Sequence, residues 1–428
     1  MNPRRDFLKS FAASAAVTGL AAPSQVRAAE TSPQGAFDVR AFGATADGKT
    51  LDTPAINKAI DAAAAAGGGT VPFPAGTYLC YSIHLKSNVG LYLDQGSKII
   101  AADPPGYDLA ENANTTEPWL QYQDFGHRNW HNSLIWGEGL SNVSITGPGL
   151  IWSKGLSRGF GPGPRAETPG VGNKAIGLKN CHNVILRDIS ILHGGHFCIL
   201  ATGVDNLTVD NVTMDTIRDG LDIDCCRNVR VSNCNVNSPW DDGICLKSSF
   251  GLGWARPTEM VSIANCYVSG CWQEGTLIDG TFKAFGPQER IPHTGRIKFG
   301  TESNGGFKNI TIANCILEGS QALSLESVDG AIMEDVTITN ISMKNPVTAP
   351  IFIRHAKDVE LDSVQILAAK PDVRPVMILD EVESASFAHI TGPAGAPMFS
   401  LNNVTDFDVR SSQPVADTVL ERADKKTL

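Results

Sequence analysis

From residue 183 onward, the chain repeats one pattern of hydrophobic and polar positions: a bend residue, a short alternating run, then a second short alternating run. Alternation with a period of two is typical of β-strands that bury one face. A unit of this length cannot bury its own apolar face, so copies must stack. The pattern therefore predicts an all-β fold, a single-domain right-handed parallel β-helix. The repeat starts at Asn183, Asn206, Asn228, Met260, Asn309, Asp335 and Asp358, with intervals of 23, 22, 32, 49, 26 and 23 residues.

Segments outside the repeat are predicted to close or decorate this stack. Residues 37–44 have the alternation of a first strand, and residues 53–66 read as a helix with Thr53 as N-cap and Pro54 in the first turn. Its apolar face suits an element that caps the N-terminal end of a β-helix. The two long intervals predict insertions at residues 250–256 and 273–292. The second is long enough to be a lid over one end of a groove.

The N-terminus has the features of an export signal. Arg4 and Arg5 precede a mild apolar run that ends at the small-residue site Val26-Arg27-Ala28. This resembles a twin-arginine signal peptide and is too short to span a membrane; the alternative is a buried helix. We expect residues 1–28 to be the signal peptide, 29–36 a linker and 37–428 the β-helix domain. The mature protein would be periplasmic or secreted.

Charge and cysteine usage narrow the partners. The formal net charge of −10 argues against nucleic acid and anionic membranes as partners, and we expect a monomer. Cys234, Cys266 and Cys315 each follow an Asn in the same slot of three repeats, which predicts a column of buried free thiols. No Cys-x-x-Cys pair exists, so a zinc site is not expected.

A cluster of acids in the repeat predicts the chemistry. Asp219 lies 13 residues after Asn206, and Asp241 lies 13 after Asn228, so both take the same phase of consecutive coils, with Asp242 adjacent. One Asp before Gly is usually turn chemistry. Three acids stacked in register, with His196 extending the column, indicate a site instead. Crowded carboxylates differ in pKa, so one can act as an acid while another stays basic, as glycoside hydrolysis requires.

The motifs around these acids resemble glycoside hydrolase family 28, the polygalacturonases and rhamnogalacturonases. The matching segments are 219–222 (Asp-Gly-Leu-Asp), 241–248 (Asp-Asp-Gly-Ile-Cys-Leu-Lys-Ser) and 300–303 (Gly-Thr-Glu-Ser). Segments 43–48, 67–71 and 74–78 resemble the first coil that this family shares with pectate-lyase-like β-helices. The resemblance makes Asp242 the general acid and Asp219 with Asp241 the pair that activates water. It implies a single inverting displacement without metal or cofactor, with the acid and base about 6.5 to 9.5 Å apart.

Two substrate-binding motifs depart from the family. Thr294 stands at the family's histidine, with His293 beside it, and the family's basic Arg-Ile-Lys strand reads Ser324-Leu325-Glu326. Arg296-Ile297-Lys298 stands one coil earlier, where alternation would turn both basic residues outward. They form either a relocated clamp for a substrate carboxylate or a solvated basic pair.

The other predicted substrate-binding residues lie on neighbouring positions. Glu326 faces the same groove by alternation, and Trp240 either stacks on a sugar ring or packs at the coil edge. The set is completed by Lys247, Glu302 and Asp222, and weaker candidates are His127, His131 and His193.

The sequence leaves two other functions open. A calcium-dependent polysaccharide lyase is also a β-helix with clustered Asp, and Asp219, Asp222, Asp224, Asp241 and Asp242 could ligate Ca²⁺. A β-helix that binds carbohydrate without cleaving it is the third possibility. The favoured prediction is a hydrolase of a pectic or other uronate- or rhamnose-containing polysaccharide. If the insertion at residues 273–292 blocks one end of the groove, the enzyme would release terminal sugars rather than cut within the chain.

Overall fold

The computed structural model describes residues 37–111, 126–160, 163–286, 289, 292, 294–368 and 374–428. The predicted signal peptide and linker, residues 1–36, lie outside them. The described strands are, in chain order, β1 Asp47–Leu51, β2 Gly69–Phe73, β3 Gly76–Cys80, β4 Ile83–His84, β5 Val89–Leu93, β6 Ser97–Ala101, β7 Ser133–Glu138, β8 Ser141–Thr146, β9 Leu150–Trp152, β10 Lys174–Lys179, β11 His182–Arg187, β12 Ser190–Leu192, β13 Phe197–Thr202, β14 Asp205–Asp210, β15 Thr213–Asp215, β16 Asp219–Asp224, β17 Arg227–Ser232, β18 Asn235–Asn237, β19 Ile244–Lys247, β20 Thr258–Ala264, β21 Tyr267–Ser269, β22 Gly295–Phe299, β23 Phe307–Glu318, β24 Gln321–Glu326, β25 Met333–Lys344, β26 Ile351–Leu367, β27 Met377–Ala388, β28 Phe399–Arg410, β29 Thr418–Ala423 and β30 Lys426–Thr427. The α-helices are α1 Thr53–Ala65 and α2 Thr276–Asp279.

These strands wind into the predicted right-handed parallel β-helix, in which each coil gives one strand to each of three parallel sheets. The first sheet stacks β4, β7, β10, β13, β16, β19, β22 and β24. The second stacks β2, β5, β8, β11, β14, β17 and β20, and the third stacks β3, β6, β9, β12, β15, β18 and β21. From β23 onward long strands pass through the corners: β23 and β25 run through the second and third sheets, and β26 runs through all three.

Every predicted repeat start lies at a bend with left-handed backbone. The φ angles of Asn183, Asn206 and Asn228 are 57°, 59° and 56°. Asn tolerates this conformation better than most residues, and its short amide can bond to the same residue of the next coil. The Asn206 side chain donates to Asn183 Oδ1 at 2.9 Å, and Asn228 donates to Asn206 at 2.5 Å. The stacked amides therefore hold the register between coils.

The N-terminal end is closed by α1, as predicted, with small corrections. Ile56, Ala59, Ile60 and Ala63 are buried against the first coil. The N-cap is Asp52 rather than Thr53, because the helix already includes Thr53. The predicted strand over residues 37–44 is wrong. This segment is a 3-10 helix, Val39–Phe42, begun by a hydrogen bond from Arg40 N–H to the Asp38 side chain.

The interior is a continuous apolar core, and the predicted cysteine column lies in it. All ten cysteines are free thiols. Cys266 contacts both Cys234 and Cys315, and the three are at most 2% exposed. Each buried aliphatic side chain of such a core contributes about 1.5–3 kcal/mol. These three small thiols therefore stack on one another as one column of the core.

The C-terminal end is closed by chain that reverses direction. Strands β29 and β30 pair antiparallel with β28, so the last parallel strand has no open edge there. Among the described residues, no helix has the length and apolar character needed to cross a membrane.

Candidate active site

The site lies on the first sheet, where β16, β19, β22 and β24 are neighbours. All six residues of β16 are buried, whereas β17 alternates between buried and exposed positions. Strand β16 carries Asp219, Asp222 and Asp224, so three carboxylates are held away from bulk water. Buried charge is costly unless it is paired and hydrogen-bonded. The surroundings of these acids should therefore be a network of ion pairs.

The structure brings the three predicted catalytic acids together. Asp219 begins β16, Asp241 and Asp242 lie in the turn before β19, and one oxygen of each lies within 4.8 Å of the others. Asp219 and Asp242 are each 4% exposed, and the Asp241 side chain is 25% exposed. Asp241 is therefore the member that solvent reaches most easily.

The register of this column differs by one residue from the prediction. Paired residues of β16 and β19 are 23 positions apart, which puts Asp219 beside Asp242 rather than Asp241. The cause is one extra residue in the turn. Asp215 and Asn237 pair in the preceding strands, yet four steps lead from Asp215 to Asp219 and five lead from Asn237 to Asp242. The stacked pair is Asp219 and Asp242.

The predicted separation of acid and base is also not found. Inverting glycosidases generally hold their two carboxyl groups about 6.5–9.5 Å apart, with room for water between them. Here the nearest oxygens of the three acids lie within 4.8 Å. The turn before β19 brings Asp242 close to Asp219, because the Asp242 N–H donates to Asp219 Oδ1 at 3.3 Å. An inverting course therefore rests on the family resemblance and not on spacing.

Each acid of the turn has a cationic partner. Arg218 Nε lies 2.6 Å from Asp241 Oδ2, and Lys298 Nζ lies 3.4 Å from Asp242 Oδ2. The Gly295 N–H also donates to Asp242 Oδ1 at 2.7 Å. A positively charged side chain therefore lies beside each of the two carboxyl groups.

Asp219 differs from its neighbours in its electrostatic surroundings. Burial raises the pKa of Asp219 well above its usual range, and the charges of Asp241, Asp222 and Asp242 raise it further. Arg218 opposes this shift. The cluster therefore holds a proton at Asp219 under conditions in which an exposed Asp is ionised.

Arg296 is not the substrate clamp that the sequence suggested. Its side chain is fully buried and donates to the carbonyls of Ser238 and Asp241 at 2.8 and 2.9 Å, and to Thr294 Oγ1 at 2.7 Å. The guanidinium runs under the turn because Gly270 leaves space for it: a Cβ there would lie 2.5 Å from Arg296 Nη1. Arg296 therefore braces the turn that presents the acids.

The other predicted binding residues are only partly gathered at the acids. Lys298 is there, with 20% of its side chain exposed. Glu326 lies two coils from β19, where its Oε1 accepts from Ser324 Oγ at 2.5 Å. Trp240 is 37% exposed beside Asp241 and remains a candidate for stacking on a sugar. His293 lies outside the described residues.

A second layer of charge lies next to the acids. Lys247 Nζ is 2.7 Å from Glu302 Oε2, and His127 lies 3.3 Å from Glu302 Oε1 and 3.2 Å from Asp222 Oδ2. Burial alone would raise the pKa of Glu302, but Lys247 and His127 outweigh it and hold the pKa at about 2. Burial raises the pKa of Asp222, against the effects of His127 and Lys247. Lys247, Glu302 and Asp222 thus belong to one largely buried ion-pair network, and their binding of substrate stays a prediction.

Sequence reasoning missed Arg218 and underrated His127. Arg218 precedes the Asp-Gly step and binds Asp241 on one side and His196 on the other, with its Nη2 2.7 Å from His196 Nε2. Its position before the repeated motif was the available signal. His127 comes from a segment before β7, far from the repeat, and no local pattern links it to Asp222.

The three carboxylates could in principle hold a cation as well as share a proton. Calcium takes six to eight oxygen ligands, from carboxylates, carbonyls and water. Here Asp241 and Asp242 are already paired with Arg218 and Lys298. These two positive side chains would repel a metal cation at the same carboxylates. The surroundings suit acid–base chemistry better than a metal site.

Comparison with known families defines the class first. Residues 36–146 match the family described as Rhamnogalacturonase A/epimerase, pectate lyase-like, and residues 167–286 match the right-handed β-helix region. These two matches agree with the right-handed parallel β-helix of the structure.

Individual relatives narrow the class. A Vitis vinifera protein named "Probable polygalacturonase" is 22% identical over 335 residues, 71% of this chain and 60% of that protein, so the match spans only part of the relative. The exo-poly-alpha-D-galacturonosidase of Dickeya chrysanthemi is 31% identical over 28% of this chain and 20% of its own length. The exopolygalacturonase structure from Thermotoga maritima superposes with a TM-score of 0.65 at 17% identity, over 91% of this chain and 94% of that one. The resemblance to polygalacturonases of glycoside hydrolase family 28 is confirmed, at low identity.

Proposed function

We propose that the protein is a glycoside hydrolase that cleaves a pectic or other uronate- or rhamnose-containing polysaccharide. The observation that carries this proposal is the cluster of Asp219, Asp241 and Asp242 beside two cations, Arg218 and the partly exposed Lys298. Hydrolysis needs a proton donor and a base within reach of one bond. The relatives support a pectin-degrading hydrolase as the nearest class of enzyme.

The surroundings suggest how the acids divide the work. Asp219, whose raised pKa retains a proton, lies beside Asp242, and this stacked pair protonates the leaving oxygen. Asp241, the most exposed of the three and ion-paired with Arg218, positions the attacking water. This changes the sequence assignment, which gave Asp219 to the base. A substrate with an activated leaving group separates the roles: it should restore activity to a variant of the acid but not to Asp241→Asn.

The test of function is a digestion followed by mass spectrometry. Wild-type protein should release oligosaccharides from a uronate polymer without added metal, and Asp242→Asn should release almost none. Asp61→Asn is the matched control, because Asp61 lies on α1 with 63% of its side chain exposed. Equal activity in Asp242→Asn and Asp61→Asn would reject the proposal. An inverting course, predicted from the family, is checked by NMR of the first product anomer.

A calcium-dependent lyase is the second candidate, and it rests on the oxygens of the three acids lying within 4.8 Å. A lyase would give an unsaturated product that absorbs ultraviolet light and would lose activity in chelator. A binding protein without activity would retain carbohydrate in Asp242→Asn and yield no product. Export through residues 1–28, a periplasmic or secreted location and a monomeric state remain predictions.

A further inference from the structure

A pocket of about 410 Å³ lies beside the acids, toward the N-terminal coils. Its floor includes Asn173 and His196, and its wall is formed by Phe160, Arg165 and other residues of the segment that follows β9. Pockets of about 300–1,000 Å³ are typical of small-ligand sites. His196 Nε2 lies 3.9 Å from Asp219 Oδ2, so the pocket and the acids share one boundary.

Arg218 links two residues of the pocket lining to the acids. Its guanidinium carbon lies 5.2 Å from the centre of the Phe160 ring, its Nη2 is 2.7 Å from His196 Nε2, and its Nε is 2.6 Å from Asp241 Oδ2. Gly159 lets the guanidinium edge approach the wall. A Cβ there would lie 3.6 Å from Arg218 Nη1 and 3.0 Å from His196 Nδ1, and the φ of 75° also favours glycine.

The pocket has donors for an anion. A guanidinium has five N–H groups. Among the described residues, Nη2 of Arg218 meets His196 at 2.7 Å, Nη1 donates to the carbonyl of Arg158 at 3.3 Å, and Nε is held in the ion pair with Asp241, so one N–H of each Nη is left. The remaining two can meet a ligand. Arg165 adds a second cation on the exposed wall, which also carries the carboxylate of Glu167, and Phe160, 47% exposed, offers apolar surface to a sugar ring.

We propose that this pocket binds the terminal uronate residue of the polysaccharide, with its carboxylate between Arg165 and Arg218. Arginine binds carboxylates in a bidentate, charge-assisted manner. The proposal rests on the proposed function and deepens it. A pocket that binds a terminal residue would make the enzyme prefer chain ends. The proposal assigns this preference to the segment around Phe160 instead of to the insertion at residues 273–292, which the sequence had suggested. Because Arg218 also binds Asp241, an occupied pocket sets the chain end against the reacting acids.

The experiment measures binding without turnover. Digalacturonate is titrated by calorimetry into the inactive Asp242→Asn protein, alone and combined with Arg165→Gln. The matched control is Arg187→Gln, which removes the same charge from β11, where the side chain is 51% exposed and its Nε lies 3.5 Å from Asp188 Oδ2. A hydrogen bond to a charged group is worth about 1.5–3 kcal/mol, so Arg165→Gln should raise Kd about tenfold or more, and Arg187→Gln should not. The uncharged methyl ester should bind more weakly and be indifferent to Arg165→Gln.

The outcomes separate this proposal from the proposed function. Equal Kd values for the Arg165→Gln and Arg187→Gln proteins, or equal losses for the acid and its ester, would overturn the pocket assignment even if the wild-type protein hydrolyses uronate polymers. Binding that depends on Arg165 in a protein that cleaves no such polymer would sustain the pocket and reject the hydrolase. Absence of any digalacturonate binding would overturn the pocket assignment.

Discussion

The coils that carry the acids and the coils near β25 share one repeat but treat charge in opposite ways. In β16 and β19 every residue is buried, including Asp219, Asp222, Asp224 and Lys247. In β25 buried and exposed positions alternate, and charged pairs such as Lys308 with Glu334 lie on the surface. Surface pairs are solvated and contribute little, whereas a buried charge depends on its partner. The coils of β16 and β19 therefore bury charges that do not favour stability by themselves, and these are the coils that carry the candidate catalytic acids.

The largest difference between the two regions should be in catalysis. Asp242→Asn should lower kcat about 10²-fold or more, the lower end of general-acid contributions, with little change in substrate affinity. Glu383→Gln, on exposed β27 surface, removes a carboxylate of the other kind and should leave kcat unchanged. Kinetics on a uronate oligosaccharide measures both. Near-normal kcat in Asp242→Asn would remove this acid from the mechanism.

The second difference should be in stability. Lys247→Met leaves Glu302 without its 2.7 Å partner in a buried layer, and breaking such a pair costs about 3–5 kcal/mol. Lys357→Met breaks a pair 2.9 Å long on the surface and should have a much smaller effect. Urea denaturation followed by circular dichroism compares them. Similar midpoints for the two variants would show that the buried layer is not a stabilising network.

Arg296 sharpens the comparison, because it is a buried cation that bonds mainly to backbone. Arg296→Lys should loosen the turn that holds Asp241 and lower kcat, by up to about 10²-fold for a misplacement near 1 Å. The KM for a uronate substrate should stay close to the wild-type value. A raised KM with unchanged kcat would restore the clamp that the sequence suggested. The companion variant is Lys298→Met, which removes the partly exposed cation beside Asp242 and should raise KM.

The smallest expected effect is a change in thermal stability, because burying the Asp219 carboxylate destabilises the folded state at neutral pH. Its pKa is raised by folding, so the unfolded chain loses this proton first as pH rises and the folded state loses stability above the usual Asp pKa. Asp219→Asn should therefore raise Tm at pH 7 while it abolishes activity, and the gain should vanish toward pH 3. Thermal unfolding at both pH values checks this. A lower Tm at pH 7 would mean that the carboxylate is stabilised by its neighbours.

Much of the fold could be predicted because it is periodic. The bend residues and alternation fix the coils, and the predicted repeat starts such as Asn206 and Asp335 lie at left-handed bends. The region of the site followed from the doublet Asp241-Asp242. Side-chain direction did not follow: one extra residue in the turn shifted the register, and a neighbouring glycine let Arg296 turn inward. Contacts from distant segments, such as that of His127 with Asp222, leave no local pattern.

Digestion in H₂¹⁸O tests the central claim most directly, namely that the buried acids activate water to break a glycosidic bond. A uronate oligosaccharide is incubated with wild-type protein, and the first products are weighed by mass spectrometry before the new reducing end exchanges. The account predicts that each cleavage adds one water and places one ¹⁸O on the new reducing end, and that Asp242→Asn gives no labelled product. Unlabelled, unsaturated products from the wild-type protein would contradict it and establish a lyase.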